Sequence, residues 1–264
     1  MQTQRESILT AKKIVVKVGT SSLTHASGKL NLEQIDALAR EIADIHHRGI
    51  EIILVSSGAI AAGLGKLGLR KSDISLSDKQ AMAAIGQNIL MHMYRKMFSE
   101  YGIEIGQILL TKEDFDSPHR SALCKGTLEA LFRYDVLPII NENDAVAVEE
   151  IKVGDNDTLS ALVSNIISAD LLIILSDIDG LYEDDPRKNS QAKLIHHVTE
   201  LSEAVRALAR DTDNEMATGG MGTKISAIEI AMKSHTKTVI ANGKKKHILR
   251  DILSGSIVGT YFDL

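Results

Sequence analysis

The chain has 264 residues, 44% hydrophobic and 25% charged, with a formal net charge of −5. A chain this long buries a sizeable core without disulfides or metals, and an acidic balance argues against a nucleic-acid binder, which carries a basic surface. The single cysteine, Cys124, excludes an intrachain disulfide, MQTQRES lacks the apolar core of a signal peptide, and the longest apolar run, LLIIL at 171–175, is too short to cross a bilayer; a cytoplasmic protein with no membrane partner is expected.

Short β-rich runs alternate with longer helical patterns. The first strand is expected at Ile14–Val18, followed by the loop GTSS, Gly19–Ser22. Asn31–Arg48 reads as a helix with Leu32, Ile35, Leu38, Ala39, Ile42 and Ile45 on one face. Asn31 and Gln34 form a capping pair and Gly49 a terminator. Ile50–Val55 is the second strand; it enters SSGAIAAG, where the helical pattern resumes. A long helix over Asp78–Tyr101 uses its methionines, Met82, Met91, Met93 and Met97, for packing. A third strand, Ile103–Leu110, a helix, Ala122–Tyr134, and a fourth strand, Val136–Ile140, lead to INENDAV and KVGDNDTLSA. The rest reads as a helix over Thr158–Ser168, a strand over Leu171–Leu175, the loop SDIDGLY, a helix over Leu201–Ala209, the loop TGGMGTK, a helix over Lys224–Ser234 and a strand over Thr238–Ala241. Strand and helix in alternation imply an α/β fold, a three-layer αβα sandwich around a mostly parallel sheet. A single domain is expected, its halves meeting near residue 170.

Ligands of such folds bind beyond the carboxyl ends of the strands, and the loops there carry glycines, hydroxyls and carboxylates. Glycine lets backbone N–H groups approach an anion, and a helix N-terminus adds partial positive charge. GTSS and SSGA, with Lys17 before the first and a glycine-rich loop ending in Lys224, point to a phosphate site. No G-x-x-x-x-G-K-[ST] occurs, so the P-loop class is excluded. GLGKLG, Gly63–Gly68, matches the dinucleotide spacing but does not directly follow a strand and lacks an acidic residue some 20 positions on; a helix end is the better reading. No His-Glu-x-x-His, Cys-x-x-Cys or G-x-S-x-G pattern exists, which excludes common zinc and serine-nucleophile sites. Asp144 follows an apolar strand. Asp155, Asn156 and Asp157 stand at a helix mouth, where either aspartate can be an N-cap. Clustered acids beside phosphate loops suit a magnesium-bound phosphate, a lysine ammonium or a substrate amine.

IVVKVGTSSL, SSGAIAAG, INENDAV, KVGDNDTLSA, DGLYEDDPR and TGGMGTK, in this order over nearly the whole chain, resemble the amino-acid kinase family, and within it the glutamate 5-kinases. The resemblance implies transfer of the ATP γ-phosphoryl group to the side-chain carboxylate of L-glutamate, the start of proline biosynthesis, with Mg²⁺ as cofactor. By position, Lys17 would contact the transferring phosphoryl group. Ser57, Gly58, Ala59, Asp144 and Asn156 would hold glutamate. Gly19, Ser176, Asp177 and the run Thr218, Gly219, Gly220, Met221, Gly222, Thr223 and Lys224 would bind ATP, the glycines folding down so that Lys224 delivers its charge on closure. Asp157 would sit between Lys17 and Lys224 and order them. Residues 1–169 would form an acceptor half and 170–264 a nucleotide half. The family also implies feedback by L-proline and a homodimer or homotetramer. Many members continue into a PUA domain, and by this resemblance the present sequence is expected to correspond to the kinase domain without it.

The chemistry agrees. A carboxylate acceptor is already ionised at neutral pH, so no general base is needed, whereas the meeting of two anions needs ammonium groups to offset it. Asp144 would select a free amino group over an acetylated one. Three other readings stay open from the residues: a relative acting on carbamate, aspartate, acetylglutamate or a nucleotide; a nucleotide sensor without activity; and an NAD-binding oxidoreductase using GLGKLG.

Overall fold

A computed structural model of the chain describes residues 5–25, 27–69, 74–147, 155–211 and 220–264. The strands are β1 (Lys13–Val18), β2 (Glu51–Val55), β3 (Ile105–Leu110), β4 (Leu137–Glu142), β5 (Leu171–Ser176), β6 (His197–Val198), β7 (Lys237–Asn242) and β8 (Thr260–Phe262). The helices are α1 (Glu6–Leu9), α2 (Thr20–Leu23), α3 (Leu32–His47), α4 (Ala59–Leu67), α5 (Leu76–Ser99), α6 (Lys112–Asp116), α7 (Pro118–Arg133), α8 (Asn156–Ile167), α9 (Glu203–Asp211), α10 (Met221–Met232) and α11 (Ile248–Leu253). The α/β class and the mostly parallel pairing expected from the sequence hold.

The chain folds as two compact units, Val18–Val153 and a discontinuous one, Met1–Lys17 with Gly154–Leu264. This division lies away from residue 170 and returns β1 to the C-terminal part of the chain. In the continuous unit the strands run β3-β4-β2, with parallel registers such as Ile105 opposite Leu137 and Leu54 opposite Ile139. In the discontinuous unit they run β1-β5-β7-β8-β6. β5 and β7 are parallel, with Leu171 opposite Lys237, and β8 is antiparallel to β7. Asp170 ties β1 to β5: its carboxylate accepts from the N–H groups of Lys12 and Lys13 at 2.8 and 2.9 Å, and its own N–H donates to the Lys13 carbonyl.

The strands are apolar because both faces are covered, as parallel strands require; Ile14, Val15, Val16, Ile53, Leu54, Ile139, Ile173 and Ile174 are fully buried. In α3 the side chain of Asn31 accepts from the Gln34 N–H, and Gly49, at φ 75°, follows the last turn. α5 starts two residues before the expected Asp78, because Ser75 and Asp78 form a reciprocal capping box. α7 starts four residues before Ala122, with Ser117 as N-cap and Pro118 in its first turn. GLGKLG lies inside α4 and at its end, with Gly68 left-handed at the C-cap, so it is no dinucleotide loop. Its glycines serve packing: a Cβ on Gly63 would stand 2.1 Å from the Met82 carbonyl oxygen, and one on Gly86 of α5 1.7 Å from that of Ala59.

Candidate active site

Lys17 is the fifth residue of a six-residue strand that is otherwise apolar except at its first position, and its side chain is buried. The partner is Asp157: Lys17 Nζ lies 2.6 Å from Asp157 Oδ1. Lys224 approaches the same carboxylate from α10, with Nζ 3.1 Å from Oδ2. Asp157 is 0% exposed, Lys17 7% and Lys224 3%. All three belong to the discontinuous unit, so the two lysines are not contributed by separate halves as the sequence suggested. Two ammonium groups on one carboxylate leave a formal charge of +1 among them.

Local sequence explains how Asp157 reaches this place. Asp155 is the N-cap of α8, its Oδ1 accepting the Thr158 N–H at 2.7 Å. That settles which aspartate caps the helix and leaves Asp157 in the first turn, where the helix end favours negative charge. Burial raises the Asp157 pKa, but the charges and hydrogen bonds of Lys17 and Lys224 outweigh it and hold the carboxyl below its ordinary value. Behind it, buried Ser160 donates to the Asp157 carbonyl at 2.6 Å and Ser164 to the Ser160 carbonyl at 2.8 Å, so small side chains face α10 with their hydroxyls satisfied. At the other end of the helix pair, Asn165 Nδ2 donates to the Ile230 carbonyl at 2.9 Å.

The glycine-rich loop is expected to fold down over ATP, with a helix beginning at Lys224; in the structure that helix begins three residues earlier. Gly220 is the N-cap of α10, and Met221, Gly222, Thr223 and Lys224 form the first turn. Lys224 is therefore seated on a helix and already bonded to Asp157, rather than delivered by loop closure. Gly220 provides no side-chain cap, so the helix end is suited to an external anion. Thr223 Oγ1 lies 2.8 Å from the Gly220 carbonyl oxygen and 3.3 Å from Asp157 Oδ2. Thr218 and Gly219 lie outside the described residues.

At the end of β5, Ser176 is buried and its hydroxyl donates to Asp177 Oδ1 at 3.3 Å, while Asp177 is exposed. Two residues on, Asp179 accepts from Asn242 Nδ2 at 2.9 Å and pairs with Lys245 at 2.8 Å. Burial raises the Asp179 pKa, and the bonds from Lys245 and Asn242 bring it below its ordinary value. Lys245 lies in the short basic run KKKH, 244–247, whose composition alone does not mark it as a partner of Asp179.

The continuous unit carries the other loops. Gly19 is the N-cap of the one-turn helix α2. Ser57 is buried, and Gly58, at φ 93°, takes a left-handed conformation that favours glycine before Ala59 opens α4. Ser56 Oγ donates to the Ser57 carbonyl at 3.3 Å and lies 2.9 Å from the hydroxyl of Tyr94, which is fully buried. Asp144 sits in a turn after β4, held where Val146 and Ala147 donate to the Asn143 carbonyl. Asn141, buried at the end of β4, donates through Nδ2 to Gln87 Oε1 at 2.9 Å and accepts the Glu142 N–H. Asn156, in the discontinuous unit, is the first residue of α8 and half-buried. The structure thus joins Lys17, Asp157 and Lys224 in one cluster and places Ser57, Gly58, Ala59 and Asp144 on loops of the other unit. Asn141 lies within INENDAV but was not singled out there, and Gln87 and Tyr94 are single polar residues in a helical pattern, which carry no motif. Among the described residues no group of three or more His, Cys, Asp or Glu side chains forms a metal cage; a hard cation carried by phosphate oxygens and water fits this donor set.

The family described as Amino acid kinase family matches residues 12–242. A glutamate 5-kinase of Clostridium acetobutylicum is 51% identical over 262 residues, covering 99% of this chain and 98% of that protein. One from Caldanaerobacter subterraneus subsp. tengcongensis is 52% identical over 250 residues, covering 95% of this chain and 67% of that protein. Among solved structures, a UMP kinase from Ureaplasma parvum superposes with a TM-score of 0.68 at 14% identity, covering 96% of this chain and 99% of that one; at that identity the likeness speaks for the fold alone.

Proposed function

The chain belongs to the amino acid kinase family, and from that premise we propose how its residues carry out its reaction, the ATP-dependent phosphorylation of the side-chain carboxylate of L-glutamate to L-glutamyl 5-phosphate. This is the first step of proline biosynthesis. The observation that carries the arrangement is the buried Lys17–Asp157–Lys224 cluster.

A carboxylate oxygen of glutamate attacks the γ-phosphorus, the bond from that phosphorus to the β,γ-bridging oxygen breaks, and ADP leaves. The nucleophile is ionised near pH 7, its ordinary pKa being about 4.3, so no side chain takes a proton. Charge is the difficulty: an anion approaches a polyanion. Lys17 and Lys224 are held by Asp157 before substrate arrives, so little reorganisation is needed at the moment of reaction. Asp157 aligns both ammonium groups while neutralising only one charge, and the excess is available to the transferring phosphoryl group. The uncapped first turn of α10, from Gly220 to Thr223, is suited to the nucleotide phosphates, with Gly19, Ser176 and Asp177 as further nucleotide contacts. Mg²⁺, entering with ATP, supplies further neutralisation of the phosphates. Ser57, Gly58, Ala59, Asp144 and Asn156 serve as glutamate contacts, Asp144 facing the cationic α-amino group. The continuous unit then works mainly on the acceptor and the discontinuous unit on the nucleotide. No helix among the described residues is long and apolar enough to cross a membrane; a cytoplasmic homo-oligomer inhibited by L-proline completes the proposal.

The test is a single assay with ATP, Mg²⁺, L-glutamate and hydroxylamine, which converts an acyl phosphate to a hydroxamate. Hydroxamate forms in step with ADP, and aspartate, N-acetylglutamate and carbamate do not replace glutamate. ADP release without hydroxamate refutes carboxylate phosphorylation. Asp144→Asn raises the glutamate KM with little change in kcat; an unchanged KM removes Asp144 from the acceptor contacts.

A further inference from the structure

Three polar side chains stand seven residues apart on α5: Gln80, Gln87 and Tyr94. Seven residues turn an α-helix to within roughly 20° of two full turns, so the three lie along one stripe, about 21 Å from first to last at 1.5 Å per residue. The buried positions between them are mostly apolar or small: Met82, Ala83, Gly86 and Leu90. Each polar group bonds at or beyond the carboxyl end of a strand. Gln80 Nε2 donates to the Ala147 carbonyl at 3.2 Å, closing the turn that carries Asp144. Gln87 Oε1 accepts from Asn141 Nδ2 at 2.9 Å. Because Asn141 Oδ1 already accepts the Glu142 N–H at 2.9 Å, this bond fixes which way the Asn141 amide faces. Tyr94 meets Ser56 at 2.9 Å. Ser56 in turn donates to the Ser57 carbonyl, so a relay runs from α5 to the loop before Gly58. The reach of these side chains is set by backbone contact, since at Gly86 there is no room for a Cβ against Ala59.

We propose that this stripe positions the acceptor site: Tyr94, through Ser56, holds the Ser57–Ala59 loop, Gln87 holds the end of β4 and Gln80 the turn that follows it, so that α5 sets the affinity for glutamate without touching it. The proposal rests on the reading that Ser57 and Asp144 hold glutamate. A purely structural role makes a different prediction, because loss of packing lowers stability and turnover together, whereas loss of loop position weakens one substrate.

The experiment compares Tyr94→Phe, Ser56→Ala, Tyr94→Phe/Ser56→Ala, Gln87→Met and Asp144→Asn, reading kcat, both KM values and thermal midpoint. Tyr94→Phe keeps the ring and removes one hydroxyl. Tyr94→Phe and Gln87→Met each raise the glutamate KM about five- to tenfold, the scale of one buried hydrogen bond. The ATP KM and kcat stay within about twofold. Ser56→Ala matches Tyr94→Phe, and the double variant is no worse than either, as expected for one relay. If Gln87→Met does not fold, Gln80→Ala, at a half-buried position, carries the same expectation. A glutamate KM within twofold of wild type in Tyr94→Phe and the glutamine variant, with Asp144→Asn still impaired, overturns the positioning role and leaves the acceptor reading intact. An unimpaired Asp144→Asn overturns both. A parallel fall in kcat, both affinities and midpoint shows packing alone and also overturns the proposal.

Discussion

Asp157→Asn removes a charge from the centre of the buried cluster while keeping its shape. Two ammonium groups at 2.6 and 3.1 Å from that carboxylate lose their counter-charge. Breaking a buried pair by removing one partner costs about 3–5 kcal/mol. A loss of about 3–5 kcal/mol is therefore expected. The wild-type sign follows from the Asp157 carboxyl, held below its unfolded value by the lysines against burial. Its stabilisation is complete above the unfolded pKa, about 3.9, and is lost as pH falls through the lower folded value. The gap between wild type and Asp157→Asn is widest near neutrality and narrows in acid below about pH 4. Urea unfolding by circular dichroism from pH 7 down to pH 3 measures it. A deficit under about 1 kcal/mol at pH 7, or a gap that acid leaves unchanged, refutes the view that one carboxylate holds both lysines.

Lys224→Ala lowers kcat by about 10²-fold or more, the scale of losing one preorganised electrostatic contact, with a much smaller change in glutamate KM; near-normal turnover removes Lys224 from the mechanism. Gly86→Ala places a Cβ 1.7 Å from the Ala59 carbonyl oxygen, backbone that cannot swing aside. It destabilises by about 1–3 kcal/mol, the range for overpacking, and a thermal midpoint equal to wild type contradicts the close helix contact. Burial, with the Asp114 charge, pushes the Cys124 thiol up to about 11. Its alkylation at pH 7.5 is much slower than that of a free thiol and accelerates up to that region; rapid labelling of folded protein at pH 7.5 counters this.

The strand cores were readable because each is a run of buried aliphatic residues. β5 begins at the expected Leu171 and extends one residue further, to Ser176. β8 and β6, three and two residues long at the end of their sheet, offer too few positions for any period. Helix starts were displaced wherever capping chemistry, at Ser75 and Ser117, lay outside the apolar pattern. For the site, the motif around Asp157 was legible but its geometry was not. The sequence shows two aspartates at one helix mouth, and only the Asp155–Thr158 bond tells which one caps. The helix expected from Lys224 starts three residues earlier, at Met221, because the glycines before it mask the helical pattern. The α5 stripe was overlooked because its methionines drew attention to packing rather than to the three polar residues between them.

The bond from Asp170 to the Lys12 N–H spans 158 residues of sequence, and this has a consequence for biosynthesis. At a translation rate of about 5–20 residues per second, the first strand leaves the ribosome roughly 8–30 s before β5 exists. Residues 18–153 are contiguous and can collapse during that interval, whereas KIVVKV cannot complete its pairing until β5 arrives. An N-terminal strand of this kind is where chaperone capture or misassociation would begin, and the ammonium group at its far end becomes useful only after the last third of the polypeptide has arrived.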